Sequence, residues 1–277
     1  MSAEPEPQPT TELGDIVQQE LASILPISVR INDAFQAFGG MVLMFVRATR
    51  RAFTRPFAFG TVAYQIEALG TRSLSLATLT AVFAGLVMTL QFAFFMARFG
   101  IQHTVGKVVV LTLFRELGPV LTALTVGSRI GSGITAELGS MKVTEQIDAI
   151  SALGADPIKK LVTPRLIACF IVIPTLTALA DVFGLVAGSI VGASQYDIPM
   201  DQYFRSAVET ADLFDFTSGI AKSAVFGIII AVVGCYKGFT VSGGTEGVGR
   251  ATTETVAITS VSVLLSDFFL TKLFLAL

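Results

Sequence analysis

Charge is scarce in this chain. Only 14% of its residues are Asp, Glu, Lys or Arg, against ~25% in a typical soluble domain. With 52% hydrophobic residues and a mean hydropathy of +0.72, it has too little polar surface to stay in solution. A basic excess is missing too. The 19 Lys+Arg face 21 Asp+Glu, for a net charge of -2, which excludes a protein built to grip nucleic acid. The single histidine, His103, excludes a site made of several imidazoles. Two cysteines, Cys169 and Cys235, sit inside apolar runs and read as small buried hydrophobes, not as a disulfide framework or a metal site. What remains is an all-α integral membrane protein.

Long apolar runs supply its spans. Ser73 to Ala97 is free of charge and bracketed by Arg72 and Arg98. That is about 25 residues, or ~37 Å of helix, enough to cross a ~30 Å hydrocarbon core with some tilt. Further spans are predicted at 108–138, 166–193, 216–236 and 255–277, giving about five. An earlier apolar run, Phe35 to Val46, is too short to span and is followed by Arg47, Arg50, Arg51 and Arg55. It reads as a helix over about 33–53 lying in the membrane interface. Residues 1–30 are acidic and Pro-rich and are expected to form a disordered tail.

Lys and Arg set the orientation. One side carries Arg47 to Arg72, then Lys142, Lys159, Lys160 and Arg165, then Lys237 and Arg250. The other carries Arg98, Lys107 and Arg205 beside Asp197, Asp201, Glu209, Asp212 and Asp215. The first side is predicted to be cytoplasmic, with the N-terminus there and the C-terminus opposite. On that side, Val143, Ile147, Ile150 and Leu153 recur at helical spacing, with polar Thr144, Glu145, Gln146 and Asp148 between. Gly154 is a plausible C-cap. The pattern predicts a short amphipathic helix over 143–154, either a membrane-surface element or a docking element for a partner.

Several runs carry a resemblance: Arg115-Glu-Leu-Gly-Pro-Val-Leu-Thr-Ala-Leu124, Gly127-Ser-Arg-Ile-Gly131, Ala136-Glu-Leu-Gly139, Met141-Lys-Val-Thr-Glu-Gln-Ile-Asp148, Gly154-Ala-Asp-Pro157, Cys235-Tyr-Lys-Gly238 and Gly244-Thr-Glu-Gly-Val-Gly-Arg-Ala-Thr-Thr253. In this order, over nearly all of the chain after about residue 35, they resemble the MlaE/YrbE family, the permease subunits of MCE-associated ABC lipid transporters. The resemblance implies a homodimer of single-domain permeases (31–277) in a bacterial inner membrane. It implies an ABC ATPase partner that holds ATP and Mg, so this chain binds no cofactor and is not itself an enzyme. It further implies a periplasmic MCE-domain protein, often a small STAS-domain protein, and membrane lipids as cargo. The segment with Thr144, Glu145, Gln146, Asp148 and Gly154 would be the helix that couples to the ATPase.

The remaining polar features sort by position. No phosphate-binding loop is present: Gly100 to Lys107 has the wrong spacing, and Gly243 to Arg250 reads as a flexible turn between spans four and five. Arg115 and Glu116 lie in span two beside Gly118-Pro119, which loosens the helix. That arrangement suits either contact with a lipid headgroup or pairing between helices; by the resemblance, Arg115, Glu116 and Pro119 would border the lipid cavity. Counting ~1.5 Å per residue from the cytoplasmic side, Asp181, Lys222 and Asp267 fall ~20–24 Å deep. They are expected to form a structural charge cluster, with Lys222 paired to one of the aspartates. Gly127-x-x-x-Gly131 and Gly184-x-x-x-Gly188 mark close helix packing, within a subunit or between two. The rival reading is a secondary transporter of a hydrophobic substrate, using such carboxylates with an ion gradient.

Overall fold

The computed structural model describes residue 32, residues 35–52, residue 54 and residues 59–276. The stretch 1–30, expected to be a disordered tail, lies outside the described residues. The chain divides into two compact units, Met1–Met44 and Phe45–Leu277. Residues 35–52 are helical (α1), and the first unit holds 35–44 of them, with Phe35, Phe38, Val42 and Leu43 exposed. The rest of the fold belongs to the second unit, and no strand occurs among the described residues.

Among the described residues, five helical segments are long and apolar enough to cross a membrane. The first is α2 (Phe59–Ala97). The second is a rod from Gln102 to Val143. It comprises a short turn, α3 (Val105–Thr112), a single π-helical turn (Leu113–Leu117) and α4 (Gly118–Val143). The short α5 (Gln146–Ala152) then leads to the third, a π-helical turn (Ile158–Val162) continuing into α6 (Thr163–Gln195). A surface helix, α7 (Met200–Val208), precedes α8 (Leu213–Phe239) and α9 (Gly244–Ala276). The bundle thus has an α5 end and an α7 end.

The helices outrun the apolar stretches that betray them. Span one begins at Phe59 and not near 73, and span five at Gly244 and not near 255. Hydropathy marks only the part of a helix that matches hydrocarbon, while the backbone keeps its hydrogen bonds beyond it. The same reason corrects the reading of Gly243 to Arg250 as a flexible turn. Only Gly243 (φ 89) and Gly244 (φ 66) bend the chain; the following residues are the first turns of α9.

Without a hydrophobic force between helices in lipid, close packing needs small side chains. α2 buries Ser73, Ala77, Ala81, Gly85, Thr89 and Ala93, one every four residues, along α6. A Cβ on Gly85 would collide with the Gly184 backbone, and one on Gly184 would lie 3.1 Å from the Ala81 carbonyl. Gly188 meets Thr89 and the Tyr203 hydroxyl. The other glycine run faces elsewhere: Gly127 abuts Ile230 of α8, and Gly131 abuts Thr255 of α9. Both runs therefore face helices of the same chain.

α7 closes one end of this seam. Its Tyr203 is fully buried among Ala93, Val105, Val109 and Ile198, with its hydroxyl 3.0 Å from Thr89 Oγ1. Burial pushes the Tyr203 phenol up to about 12, so it stays protonated at ordinary pH and keeps that hydrogen bond. Elsewhere α2 and α9 turn large apolar side chains outward, among them Phe83, Val87, Leu265 and Phe268. Spanning helices require such a surface toward lipid.

Gly85→Val is expected to pry α2 from α6 and lower stability by about 2 kcal/mol or more. Gly60→Ala should be neutral or mildly stabilising, because an added Cβ there meets nothing within 4 Å. Thermal unfolding in one detergent, read for both variants, checks the contrast.

Candidate functional site

The site begins with an absent hydrogen atom. In an α-helix the carbonyl of Arg115 would accept from the amide of residue 119, but Pro119 has none. Just before it the helix widens into a π-helical turn, closed by the Gly118 amide donating to the Leu113 carbonyl. Such turns insert one extra residue and redirect the side chains around it. Lys222 of α8 fills the vacancy, its Nζ donating to the Arg115 carbonyl at 2.8 Å.

A buried ammonium needs countercharge. Lys222 is 2% exposed, and its Nζ lies 2.9 Å from Glu116 Oε1 and 3.4 Å from Asp267 Oδ1. It also donates to Thr271 Oγ1 at 2.6 Å. The Thr271 hydroxyl lies 3.0 Å from Glu116 Oε1, so the π-helical turn, α8 and α9 meet in one polar knot. Beside it Arg115 Nε donates to Asp215 Oδ1 at 2.6 Å, and the two side chains form an ion pair. The second oxygen of Asp215 accepts from the Asp212 amide at 3.1 Å. One carboxylate thus caps the first turn of α8 and holds Arg115.

The knot floors a cavity of about 240 Å³ near the α7 end. Its other walls are Phe214, Phe274 and Leu275. Arg115 and Glu116 keep 43% and 37% of their side-chain surface exposed, while Asp215 and Lys222 keep 2% each. A polar group could therefore reach the arginine and glutamate, with the aspartate and lysine behind them as fixed supports. Apolar walls beside a charged floor suit an amphiphile. Ser218 and Ser223 donate to the backbone carbonyls of Asp215 and Ile220, so neither hydroxyl is prepared as a nucleophile for a Lys222 base.

The expected trio of Asp181, Lys222 and Asp267 does not assemble. Lys222 and Asp267 meet, but Asp181 stands apart on α6, against Gly118. It is 2% exposed, and its Oδ1 has no hydrogen-bond partner. Depth along a helix fixes the level of a residue and leaves its azimuth open; α6 turns Asp181 toward the α2 and α4 side. Three cluster members escaped the sequence reading: Glu116 as the partner of Lys222, and both Asp215 and Thr271 as members at all. Asp215 had a signal, since it follows the N-cap Asp212 by three residues at the head of a span. Thr271 had none.

At the α5 end the amphipathic segment is shorter than 143–154. α5 covers Gln146–Ala152, because Glu145 adopts φ 60 and ends the preceding helical path. A left-handed non-glycine residue is strained, and such strain gathers at functional sites. Lys142 pairs with Asp148 at 2.9 Å, and Gln146 donates to Thr144 at 3.1 Å. Ile147 packs inward while Leu153, before the turn at Gly154 (φ 76), is 86% exposed. Behind it Asp156 pairs with Arg51 at 2.9 Å, and Thr163 donates to the Ala48 carbonyl at 3.2 Å, both reaching α1.

Lys222→Met leaves two half-buried carboxylates without their cation and the Arg115 carbonyl without its donor, and is expected to cost about 3 kcal/mol of stability. Adding Glu116→Gln and Asp267→Asn should restore much of it, as read from thermal unfolding of the purified protein.

Comparison with known proteins agrees with this architecture. Residues 62–273 match the family described as Permease MlaE. A "Probable ABC transporter permease protein" of Rickettsia bellii is 38% identical over 239 residues, 86% of this chain and 92% of that protein. Another probable ABC transporter permease, from a Synechocystis species, is 42% identical over 209 residues, 76% of this chain and 80% of that protein. A chloroplast protein of Arabidopsis thaliana, trigalactosyldiacylglycerol 1, is 39% identical over 210 residues, 76% of this chain and 60% of that protein. The chain is a multi-helix membrane protein of the ABC permease type, and it belongs to the MlaE permease family.

Proposed function

We propose that this permease moves phospholipid between a bacterial inner membrane and a periplasmic MCE-protein assembly. The observation that carries this reading is the amphipathic cavity at the α7 end. There Arg115 and Glu116 stand exposed on a buried, fully paired floor, between Phe214 and Phe274. A guanidinium held from behind by Asp215 is oriented to receive a phosphate, and the aromatic wall receives acyl chain. The name of the Arabidopsis relative, which contains that of a galactolipid, supports a lipid cargo.

On this reading the α5 end is cytoplasmic, as the Lys and Arg distribution favours. The N-terminus lies there, α1 rests in the interface, and the C-terminus faces the periplasm. Two copies form the permease core, and α5 with Thr144, Glu145 and Gly154 seats in an ABC ATPase. That subunit holds ATP and Mg and does the hydrolysis, and a STAS-domain protein accompanies it. Closure of the two ATPases pushes α5, and the α3–α4 rod carries the displacement to the cavity as a rigid body.

One observation favours the rival, an ion-gradient-driven carrier: Asp181 is a buried carboxylate without a partner oxygen or cation among the described residues. Asp181→Asn keeps the shape and removes the titratable group. Lipid transfer in proteoliposomes driven by ATP should survive it; loss of transfer in that variant, together with dependence on a proton or sodium gradient, would favour the carrier.

The main experiment is purification of the tagged chain in mild detergent with ATPase assay and lipid mass spectrometry. An ATPase subunit and phospholipid should co-purify. Glu145→Lys should release the ATPase and leave the lipid; Arg115→Ala with Glu116→Ala should lower bound lipid about tenfold and leave the ATPase. Undiminished lipid in the double variant removes the proposed headgroup contact.

A further inference from the structure

A second and larger cavity, about 610 Å³, opens between α2, α4 and α9 toward the α5 end. Two arginines line it, Arg72 of α2 and Arg129 of α4. Arg129 is anchored, its guanidinium donating to the buried Ser73 Oγ at 2.7 Å. Ser73 follows Arg72 directly, so this bond holds the Arg129 guanidinium against the turn of α2 that bears Arg72. Arg72 itself has no ion-pair or hydrogen-bond partner among the described residues.

The one carboxylate in the lining is already engaged. Glu137 accepts from Arg165 at 2.8 Å, and Arg165 is 4% exposed. Glu137 stays 56% exposed, but its charge is matched by Arg165, so the cavity is left with two unmatched positive charges. Gln65 also faces it, 7% exposed and without a hydrogen-bond partner among the described residues. Both guanidinium groups are exposed to the cavity with no countercharge of their own, and the Gln65 amide lines it beside them. An anion with several acceptor oxygens would answer all three.

Its position narrows the source. Arg129 lies about 14 residues beyond Arg115 on one rod, or ~20 Å along the axis. In a ~30 Å core these two levels belong to opposite leaflets. The cavity is also floored by Ile130 and Ile134 and roofed by Leu69, which suits the start of acyl chains below a headgroup. We infer that the Arg72–Arg129 cavity binds the phosphate of an anionic phospholipid in the leaflet at the α5 end, opposite the Arg115–Glu116 cavity. This inference rests on the lipid-permease reading and adds a second lipid station to it. A lipid would be held at two levels along the rod, about one leaflet apart, which gives the transported molecule a defined place on either side.

The chain contains no tryptophan, so one introduced residue reports on one place. Thr252→Trp puts a fluorophore in the cavity, and Phe83→Trp puts a reference on the exposed face of α2. Each full-length variant is placed in nanodiscs of phosphatidylcholine containing a small fraction of brominated phosphatidylglycerol. Quenching at position 252 relative to 83 measures local enrichment of the anionic lipid. The expected enrichment is about tenfold. It should vanish on adding Arg72→Gln and Arg129→Gln. It should also fall with Gly133→Leu, which fills the cavity without touching its charges, since an added Cβ there meets nothing within 4 Å.

Equal quenching at positions 252 and 83 would overturn the inference and leave the cavity to protein packing. Relief of the quenching by millimolar inorganic phosphate, to the extent the arginine substitutions give, would assign the site to a soluble anion and overturn the lipid assignment. A Phe214→Trp reporter in the other cavity tests the preceding reading by itself. Enrichment at 214 with none at 252 rejects only the second station, and enrichment at 252 with none at 214 rejects only the first.

Discussion

Pro119 withholds one amide proton from the middle of a membrane-spanning rod, and much of the bundle is arranged around that vacancy. A carbonyl without a donor is expensive in hydrocarbon, where no water can replace the lost bond. Lys222 supplies the donor and so brings a charge into the bundle. The charge draws Glu116 and Asp267 to it, and the Thr271 hydroxyl donates to Glu116. Three helices from distant parts of the chain are thereby locked at one level. Because the next residue back, Arg115, is committed to Asp215, the first turn of α8 is locked as well. The polar floor of the cavity is a by-product of satisfying one backbone oxygen.

The rod that carries this knot also carries everything else of interest. Moving from the α7 end, it presents Arg115 and Glu116, then Arg129, then Glu137, and it ends at the left-handed Glu145 before α5. Its glycines at 127 and 131 seat it against α8 and α9. A rod seated this closely against its neighbours moves as a unit, because packed interfaces shift between discrete arrangements and do not bend gradually. Past the short turn at its start, the rod is interrupted by the π-helical turn, which lies beside the cavity at the α7 end.

Packing divides the bundle into a tight side and an open side. The α2–α6 seam is made of Ser, Ala, Gly and Thr at every fourth position, and backbone meets backbone at Gly85 and Gly184. α9 and the outward face of α2 bury little and show Phe, Leu and Val. Both cavities are lined in part by α9, the least buried of the spanning helices among the described residues. A site that must admit and release a large amphiphile is better placed there than in a seam where a single added methyl collides with backbone.

How legible was all this in the amino-acid sequence? The number and order of the spans, the short helix before them and the presence of a short amphipathic helix between spans two and three follow from hydropathy, charge and period, all properties of consecutive residues; the bounds of that last helix do not. That Arg115, Glu116, Pro119 and Lys222 lie inside spans was legible too, and stands out because charge and proline are rare there. Helix ends were not, because the backbone continues past the apolar stretch that reveals it. Nor was the partner of any charge. Depth counting placed Asp181 level with Lys222, yet α6 turns it toward Gly118 and α2. The sequence by itself determined which residues lie in the membrane, and at what level, because both depend on distance along one helix. Only the tertiary structure decided that Lys222 answers Glu116 and the Arg115 carbonyl, that Asp215 holds Arg115, and that Arg72 and Arg129 share a cavity. Those pairings depend on the rotation of each helix about its own axis, which is set by the small-residue seams and appears only when the helices pack.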